Sequence, residues 1–147
     1  MDDFVWPVAQ LVPLCRADVR LAPPVFAGGY RGKRIICEVT SVRLTGERLE
    51  AELFGHTAAD WVTVSPDGRY GGIDVRSTLR TADGAIIYVE YEGRVRFGPK
   101  GRSEVFSAPR FETGDERYAW LNAIQAVGRG ISDAREGWLR VQVYELV

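Results

Sequence analysis

The chain has 147 residues, 46% of them hydrophobic and 27% charged, which is the composition of an ordinary globular protein with room for a core. A formal net charge of −1 offers nucleic acid no electrostatic attraction, so DNA and RNA are excluded as partners. No apolar run reaches the ~20 residues of a membrane-spanning helix, and the acidic start Met1-Asp2-Asp3 is unlike a signal peptide. We therefore expect one cytoplasmic domain, residues 1–147, with no membrane partner.

Short segments of alternating polar and apolar residues recur along the first half of the chain, which is the pattern of half-buried strands. Residues 27–33 resemble a phosphate-binding loop in their glycines. That motif, however, needs Ser or Thr where Arg34 stands, and a helix where this chain predicts a strand, so an ordinary turn is expected. The predicted strands of this half cover residues 11–21, 34–44, 48–54 and 60–65.

The most regular pattern lies in residues 73–96, which predict two long strands joined at Ala82-Asp83-Gly84. One side of this hairpin is mostly apolar, with Ile73, Val75, Ser77, Leu79, Ile87, Val89, Tyr91 and Val95. The opposite side carries a polar group in its centre, formed by Asp74, Arg76, Tyr88 and Glu90. The position of the turn places residues 76 and 90 almost opposite each other, so the four side chains should form one cluster.

The second half of the chain continues the strand pattern, and no segment shows apolar residues at helical spacing. A strand over 105–113 is interrupted by Pro109, which marks an edge or a bulge. The remaining predicted elements are a turn of helix or an irregular approach within 118–124, a strand at about 123–128, a loop to 137 and a strand over 138–147. Eight to ten antiparallel strands in one small domain predict an all-β fold that closes into a barrel, because closure removes exposed edges.

Several kinds of active site are excluded by residue type. His56 is the only histidine, which rules out a multi-histidine metal site, and no GxSxG or GxGxxG motif is present. Cys15 and Cys37 lie in apolar alternating runs without a CxxC motif, so they are expected to be buried small side chains. We therefore predict neither a metal nor a cofactor.

Two long blocks of the sequence resemble a known family. These are DVRSTLRTADGAIIY at 74–88 and APRFETG at 108–114 with YAWLN at 118–122, and VQVYE at 141–145 closes the match. In these blocks the chain is similar to the DUF3237 family, also called UPF0311. Together with the predicted elements, which include at most one short helix, the resemblance implies a compact calycin-like or lipocalin-like β-barrel, often a homo-oligomer (a dimer or larger), and no settled reaction. The chain departs from the family at Ser77, where a tyrosine is usual, and in a shorter segment between 98 and 108.

The polar cluster of the hairpin is the candidate catalytic site, and two orientations are open for it. Strand charges usually face solvent, where their ion pairs contribute little, whereas the resemblance favours side chains that line a cavity. In the second case Asp74 or Glu90 acts as acid or base, because burial raises the pKa of a carboxyl group. Tyr88 and Arg76 then polarise a carbonyl group. The candidate substrate-binding residues are Asp60, Trp61, Phe111, Glu112, Trp120 and Asn122.

Two functions from different classes follow. The first is a cofactor-independent enzyme, an isomerase, cyclase or hydro-lyase that transfers protons on a small hydrophobic carbonyl or polyketide-like substrate. The second is a binding protein that holds a small organic acid with Arg76 and does not convert it. A purely structural oligomer would instead show a barrel interior filled by side chains, with no cavity of the ~300 Å³ that ligand sites usually have.

Overall fold

The computed structural model describes residues 3–30 and 32–147, and this part of the chain is built from antiparallel strands. Two short 3₁₀ helices, Pro99–Gly101 and Glu116–Ala123, accompany them. The strands are β1 Leu11–Leu21, β2 Val25–Gly28, β3 Lys33–Thr45, β4 Ala51–Leu53, β5 Ala59–Val64, β6 Tyr70–Arg80, β7 Ile86–Phe97, β8 Arg102–Ser107, β9 Arg110–Glu112, β10 Gln125–Asp133 and β11 Trp138–Leu146. No helix in the described residues is long and apolar enough to cross a membrane.

Eight of these strands close into a barrel, which confirms the predicted all-β fold. The order is β6, β5, β3, β1, β11, β10, β8 and β7, and the pairing of β7 with β6 joins the two ends of the sheet. The predicted hairpin supplies that closing pair, and Arg76 lies opposite Glu90 as its turn position required. The three shorter strands extend the wall, with β2 on β3, β4 between β3 and β6, and β9 on β7.

Strand β10 is longer than its pattern suggested. The segment from Gly128 to Gly137 was expected to be a loop, but its first half continues β10 to Asp133. A Cβ atom on Gly128 would overlap Ser107 Oγ, and one on Gly130 would overlap the carbonyl oxygen of Arg140. These glycines therefore allow neighbouring strands to approach closely within a sheet, which is an established use of glycine in barrels and is easily mistaken for a loop signal.

The barrel interior is filled by the alternating apolar residues of its strands. In β6 and β7 the inward set includes Ile73, Leu79 and Ile87, and Ile87 is completely buried. At one end the helix Glu116–Ala123 lays the fully buried Leu121 against this core. We call this the closed end of the barrel. We call the opposite end, where β1, β7 and β10 finish, the mouth.

Replacing Ile87 with alanine should lower the free energy of unfolding by about 2–5 kcal/mol, because the deletion leaves a cavity in a fully buried site. The neighbouring Ile86 points outward and is 43% exposed, so Ile86→Ala is the matched control and should cost less than about 1 kcal/mol. Urea denaturation of both variants measures the difference. Equal losses would contradict the assignment of inner and outer faces in β7.

Candidate functional site

The polar cluster of the hairpin forms as predicted, but it lies on the outer face of the barrel. Asp74 and Arg76 alternate with buried residues of β6, and Tyr88 and Glu90 alternate with buried residues of β7. Of the two orientations that the sequence left open, the structure shows the one on the outer face, where these side chains do not line the barrel lumen. The physical reason is that a strand has two faces, and the apolar side chains of the same hairpin occupy the inner one.

On the outer face the cluster is a network of ion pairs. The Tyr88 hydroxyl donates to Glu90 Oε2 at 3.1 Å, and Arg110 Nη2 donates to Glu90 Oε1 at 3.0 Å. Arg76 Nη2 lies 3.7 Å from Asp74 Oδ2, and all four charged side chains are 40–67% exposed. Each charge thus has both water and a partner, as is usual for ion pairs on a protein surface.

The predicted substrate-binding residues divide between the two faces. Trp61 and Glu112 are exposed, and Trp120 packs beneath the Arg48 guanidinium at 4.6 Å. Asn122 has a structural role. Its Oδ1 accepts a hydrogen bond from the Thr113 N–H at 2.8 Å, and its Nδ2 donates one to the Thr113 carbonyl oxygen at 2.9 Å. The two that line the barrel interior are Asp60 and Phe111.

The lumen has a tightly packed inner part and a cavity at the mouth. The inner part leaves only about 50 Å³ beside Phe111, which is too small for a metabolite. The cavity at the mouth has a volume of about 320 Å³, within the size range of ligand sites. We call it the mouth cavity. Its lining is largely apolar and includes Leu21, Ile35, Asp60, Tyr91, Val95 and Leu139.

Three polar groups of the mouth cavity, Cys37, Asp60 and Tyr91, lie in one row across the barrel wall. Cys37 of β3 pairs with Asp60 of β5, Asp60 pairs with Val75 of β6, and Val75 pairs with Tyr91 of β7. Neighbouring strands are about 4.8 Å apart. The Asp60 and Tyr91 backbones are therefore separated by two strand spacings, and both side chains line the same cavity.

Burial changes the acidity of this row. It raises the pKa of Asp60 from 3.8 to about 7, and the charge of Asp74 acts in the same direction. The backbone N–H of Asp74, which donates to Asp60 Oδ1 at 3.1 Å, opposes the shift. Burial and then the charge of Asp60 raise the pKa of Cys37 to about 11, and the same two causes raise the pKa of Tyr91. Near neutral pH, Cys37 and Tyr91 are neutral while Asp60 titrates.

This arrangement provides the parts for proton transfer. Asp60 gains or loses a proton near neutral pH, as a general acid or base requires. The Tyr91 hydroxyl makes no hydrogen bond to any residue within 3–30 and 32–147, so it is available to a ligand oxygen. No three potential metal ligands of the His, Cys, Asp and Glu types come together in those residues. Sequence reasoning missed Tyr91 as a site residue, although its hydroxyl on the apolar side of the hairpin was the available signal.

Sequence comparison confirms the predicted family resemblance. The profile of the family described as "Protein of unknown function (DUF3237)" matches residues 9–146. A UPF0311 protein of Bradyrhizobium diazoefficiens is 39% identical over a stretch that covers 43% of this chain and 49% of that protein. The match thus spans about half the length of this curated relative.

Solved structures share the barrel over nearly the whole chain. A β-barrel-like protein of Acinetobacter baumannii has a TM-score of 0.87 at 28% identity, covering 99% of this chain and 100% of its own. A protein of unknown function from Rhodopseudomonas palustris has a TM-score of 0.86 at 23% identity, covering 97% and 100%. A protein described as an enzyme from Penicillium herquei has a TM-score of 0.71 at 21% identity, covering 95% and 98%. The last two similarities concern the fold alone.

The raised pKa of Asp60 predicts a pH-dependent cost to stability. Between about pH 4 and pH 7 the unfolded chain loses this proton while the folded chain keeps it, so folding stability falls as the pH rises. Above pH 7 the cost is constant, at up to about 4 kcal/mol. Asp60→Asn removes the charge and keeps an oxygen for the Asp74 N–H. It should therefore stabilise the protein at pH 8.5 and much less at pH 4.5.

Urea denaturation at the two pH values measures this effect. Asp18→Asn is the control, because Asp18 is an exposed carboxylate paired with Arg140 on the outer face. A stability difference between Asp60→Asn and wild type that stayed the same at both pH values would show that Asp60 has an ordinary pKa.

Proposed function

The chain belongs to the DUF3237 family, and from that premise we propose that it is a cofactor-independent enzyme that transfers protons on a small apolar carbonyl compound in the mouth cavity. The observation that carries the proposal is Asp60, a lumen-facing carboxyl with a pKa of about 7 in a cavity of about 320 Å³. A group that titrates near the working pH is an effective general acid or base. The reaction types that fit are isomerisation, cyclisation and the addition or loss of water.

In the proposed step Asp60 is the base and Tyr91 is the hydrogen-bond donor. The Asp60 carboxylate takes a proton from the carbon next to the carbonyl group, and the electron pair of the broken C–H bond forms an enolate. Tyr91 donates its hydroxyl proton to the enolate oxygen in a hydrogen bond, which stabilises the charge that develops there. Return of the proton from Asp60 to a different carbon completes an isomerisation. In a loss of water, the proton instead goes to a β-hydroxyl group, whose C–O bond breaks as the enolate electron pair forms the new C=C bond and water leaves.

The apolar lining supports this assignment for two reasons. It gives a hydrophobic substrate a surface to bind, and it removes water from Asp60, which causes the raised pKa. The Penicillium herquei protein described as an enzyme has the same fold, which is compatible with catalysis in a barrel of this kind. Assembly into a homo-oligomer, implied by the family resemblance, stays a prediction.

The outer cluster offers a second candidate function, the binding of an organic acid. Arg76 and Arg110 line an open groove of about 460 Å³ on the outer face, where a guanidinium group would hold a carboxylate in two hydrogen bonds. In this alternative the protein binds its ligand without converting it. Catalysis by Asp74, Arg76, Tyr88 and Glu90 likewise stays a prediction, and the following experiment separates it from catalysis by Asp60.

The experiment measures exchange of the α-protons of 2-tetralone, a small apolar ketone, in D₂O by proton NMR. The protein should accelerate the exchange, because Asp60 abstracts these protons and returns deuterium. Asp60→Asn should slow the protein-dependent exchange about 100-fold or more, since it removes the base. Tyr91→Phe should slow it about tenfold or more, since it removes the donor to the enolate.

The exposed Asp18→Asn variant serves as the control and should exchange like wild type. Glu90→Gln compares the two candidate sites directly. A loss of exchange in Glu90→Gln together with full exchange in Asp60→Asn would move catalysis to the outer cluster. Absence of exchange in the wild-type protein, with binding of small carboxylates that is lost on Arg76→Ala, would favour the binding protein.

A further inference from the structure

We infer that the mouth cavity selects uncharged ligands: it accepts a compact aromatic or alicyclic molecule with one hydroxyl or ketone oxygen and rejects the carboxylate of the same shape. This inference rests on the proposed function in that it names the substrate class of the same site. It follows from the distribution of charge around the cavity.

The lining of the mouth cavity holds no cationic side chain. Among the described residues that line it there is no lysine, arginine or histidine, and its two charged groups are the carboxylates Asp60 and Asp133. The other polar contributions come from small groups such as Ser103, Ser132 and the Cys37 thiol. An anionic ligand would therefore meet negative charge and no compensating positive charge.

Asp133 is already satisfied by its own neighbours. Its Oδ2 accepts a hydrogen bond from Arg102 Nε at 2.8 Å, and its Oδ1 accepts from the backbone N–H groups of Arg135 and Glu136 at 3.0 Å each. These contacts hold the pKa of Asp133 below its usual value, so it stays ionised. Its side chain is only 8% exposed and has little left to offer a ligand. Asp60 is therefore the carboxylate that a ligand meets.

Two arginines near the mouth, Arg96 and Arg102, are held on the outer surface by ion pairs. The Arg102 guanidinium binds Asp133 and also lies 4.9 Å from the centre of the Trp138 ring. The Arg96 guanidinium lies 4.7 Å from the Phe106 ring and 3.6 Å from Glu104. Turning either of them into the cavity would break an ion pair and a cation–π contact, so neither is free to neutralise a bound anion.

The energetic consequence is discrimination by charge. A buried carboxylate without a partner loses its hydration with no compensation, and an ionised Asp60 nearby adds repulsion. The binding of a neutral ligand oxygen is favourable instead. Such an oxygen accepts a hydrogen bond from the Tyr91 hydroxyl, and a ligand hydroxyl group also donates one to Asp60. The rest of such a ligand meets a largely apolar lining that includes Ile35, Val95 and Leu139.

The test compares 2-naphthol with 2-naphthoate, which share a ring system and differ in charge at pH 7.5. Isothermal titration calorimetry of the wild-type protein should show 2-naphthoate binding at least about tenfold more weakly than 2-naphthol, or 1.4 kcal/mol. In Asp60→Asn the ratio of the dissociation constants of 2-naphthoate and 2-naphthol should become smaller, because the repulsive charge is gone and the acceptor for the naphthol hydroxyl is weaker.

Two further variants locate the binding. Ser103→Trp places a large ring at the half-buried rim of the cavity and should abolish 2-naphthol binding. Thr63→Trp adds the same ring to an exposed position of β5 and should bind like wild type. Circular dichroism melting checks that both variants fold. If Ser103→Trp does not fold, it is replaced by Ser132→Trp, since Ser132 lies directly opposite Ser103 on the neighbouring strand β10 and also lines the cavity.

Equal or tighter binding of 2-naphthoate overturns the inference, and so does the failure of both probes to bind or binding that Ser103→Trp leaves unchanged. These results are separable from the proton-transfer proposal. Selective binding of 2-naphthol without exchange of the 2-tetralone protons would support the charge selection and contradict the proton-transfer proposal. Proton exchange that depends on Asp60, together with tight binding of 2-naphthoate, would support the proton-transfer proposal and contradict the charge selection.

Discussion

The pairing of β6 with β7 is the constraint on which the rest of the structure depends. It runs from Tyr70 opposite Arg96 to Arg80 opposite Ile86, and it joins the two ends of the sheet. Closure divides every strand into an inner and an outer face, because side chains alternate with a period of two. The hairpin therefore decides at once which of its side chains fill the core and which meet water.

The chemistry of Asp60 is a consequence of that closure. On an open sheet its carboxyl would be hydrated and would titrate like any other aspartate. Inside the wall formed by β3, β5, β6 and β7 it lies in a row with Cys37, Val75 and Tyr91, and burial moves its pKa to about 7. The outer cluster has different surroundings, because Glu90 is in contact with solvent and pairs with Arg110.

The sequence predicted much of the fold because strand periodicity and turn chemistry are local signals. The hairpin, the register of Arg76 with Glu90 and the closed barrel follow from them. Strand β10 was shortened in the prediction because Gly128 and Gly130 resemble loop residues unless their neighbours in space are known. The sequence left the orientation of the hairpin cluster open and named Asp60 only as a candidate substrate-binding residue, because alternation separates the two faces of a strand without saying which face lines a cavity.

The buried Leu121 at the closed end has a consequence for how a ligand could enter and leave the lumen. Because that end is closed in the described structure, a ligand would enter and leave the lumen through the mouth. For the proposed reaction this means that a product must leave before the next substrate enters, and until it leaves it competes for the same cavity. Under the proposed function the cavity holds one molecule at a time, and the rate of product release would set an upper limit on turnover.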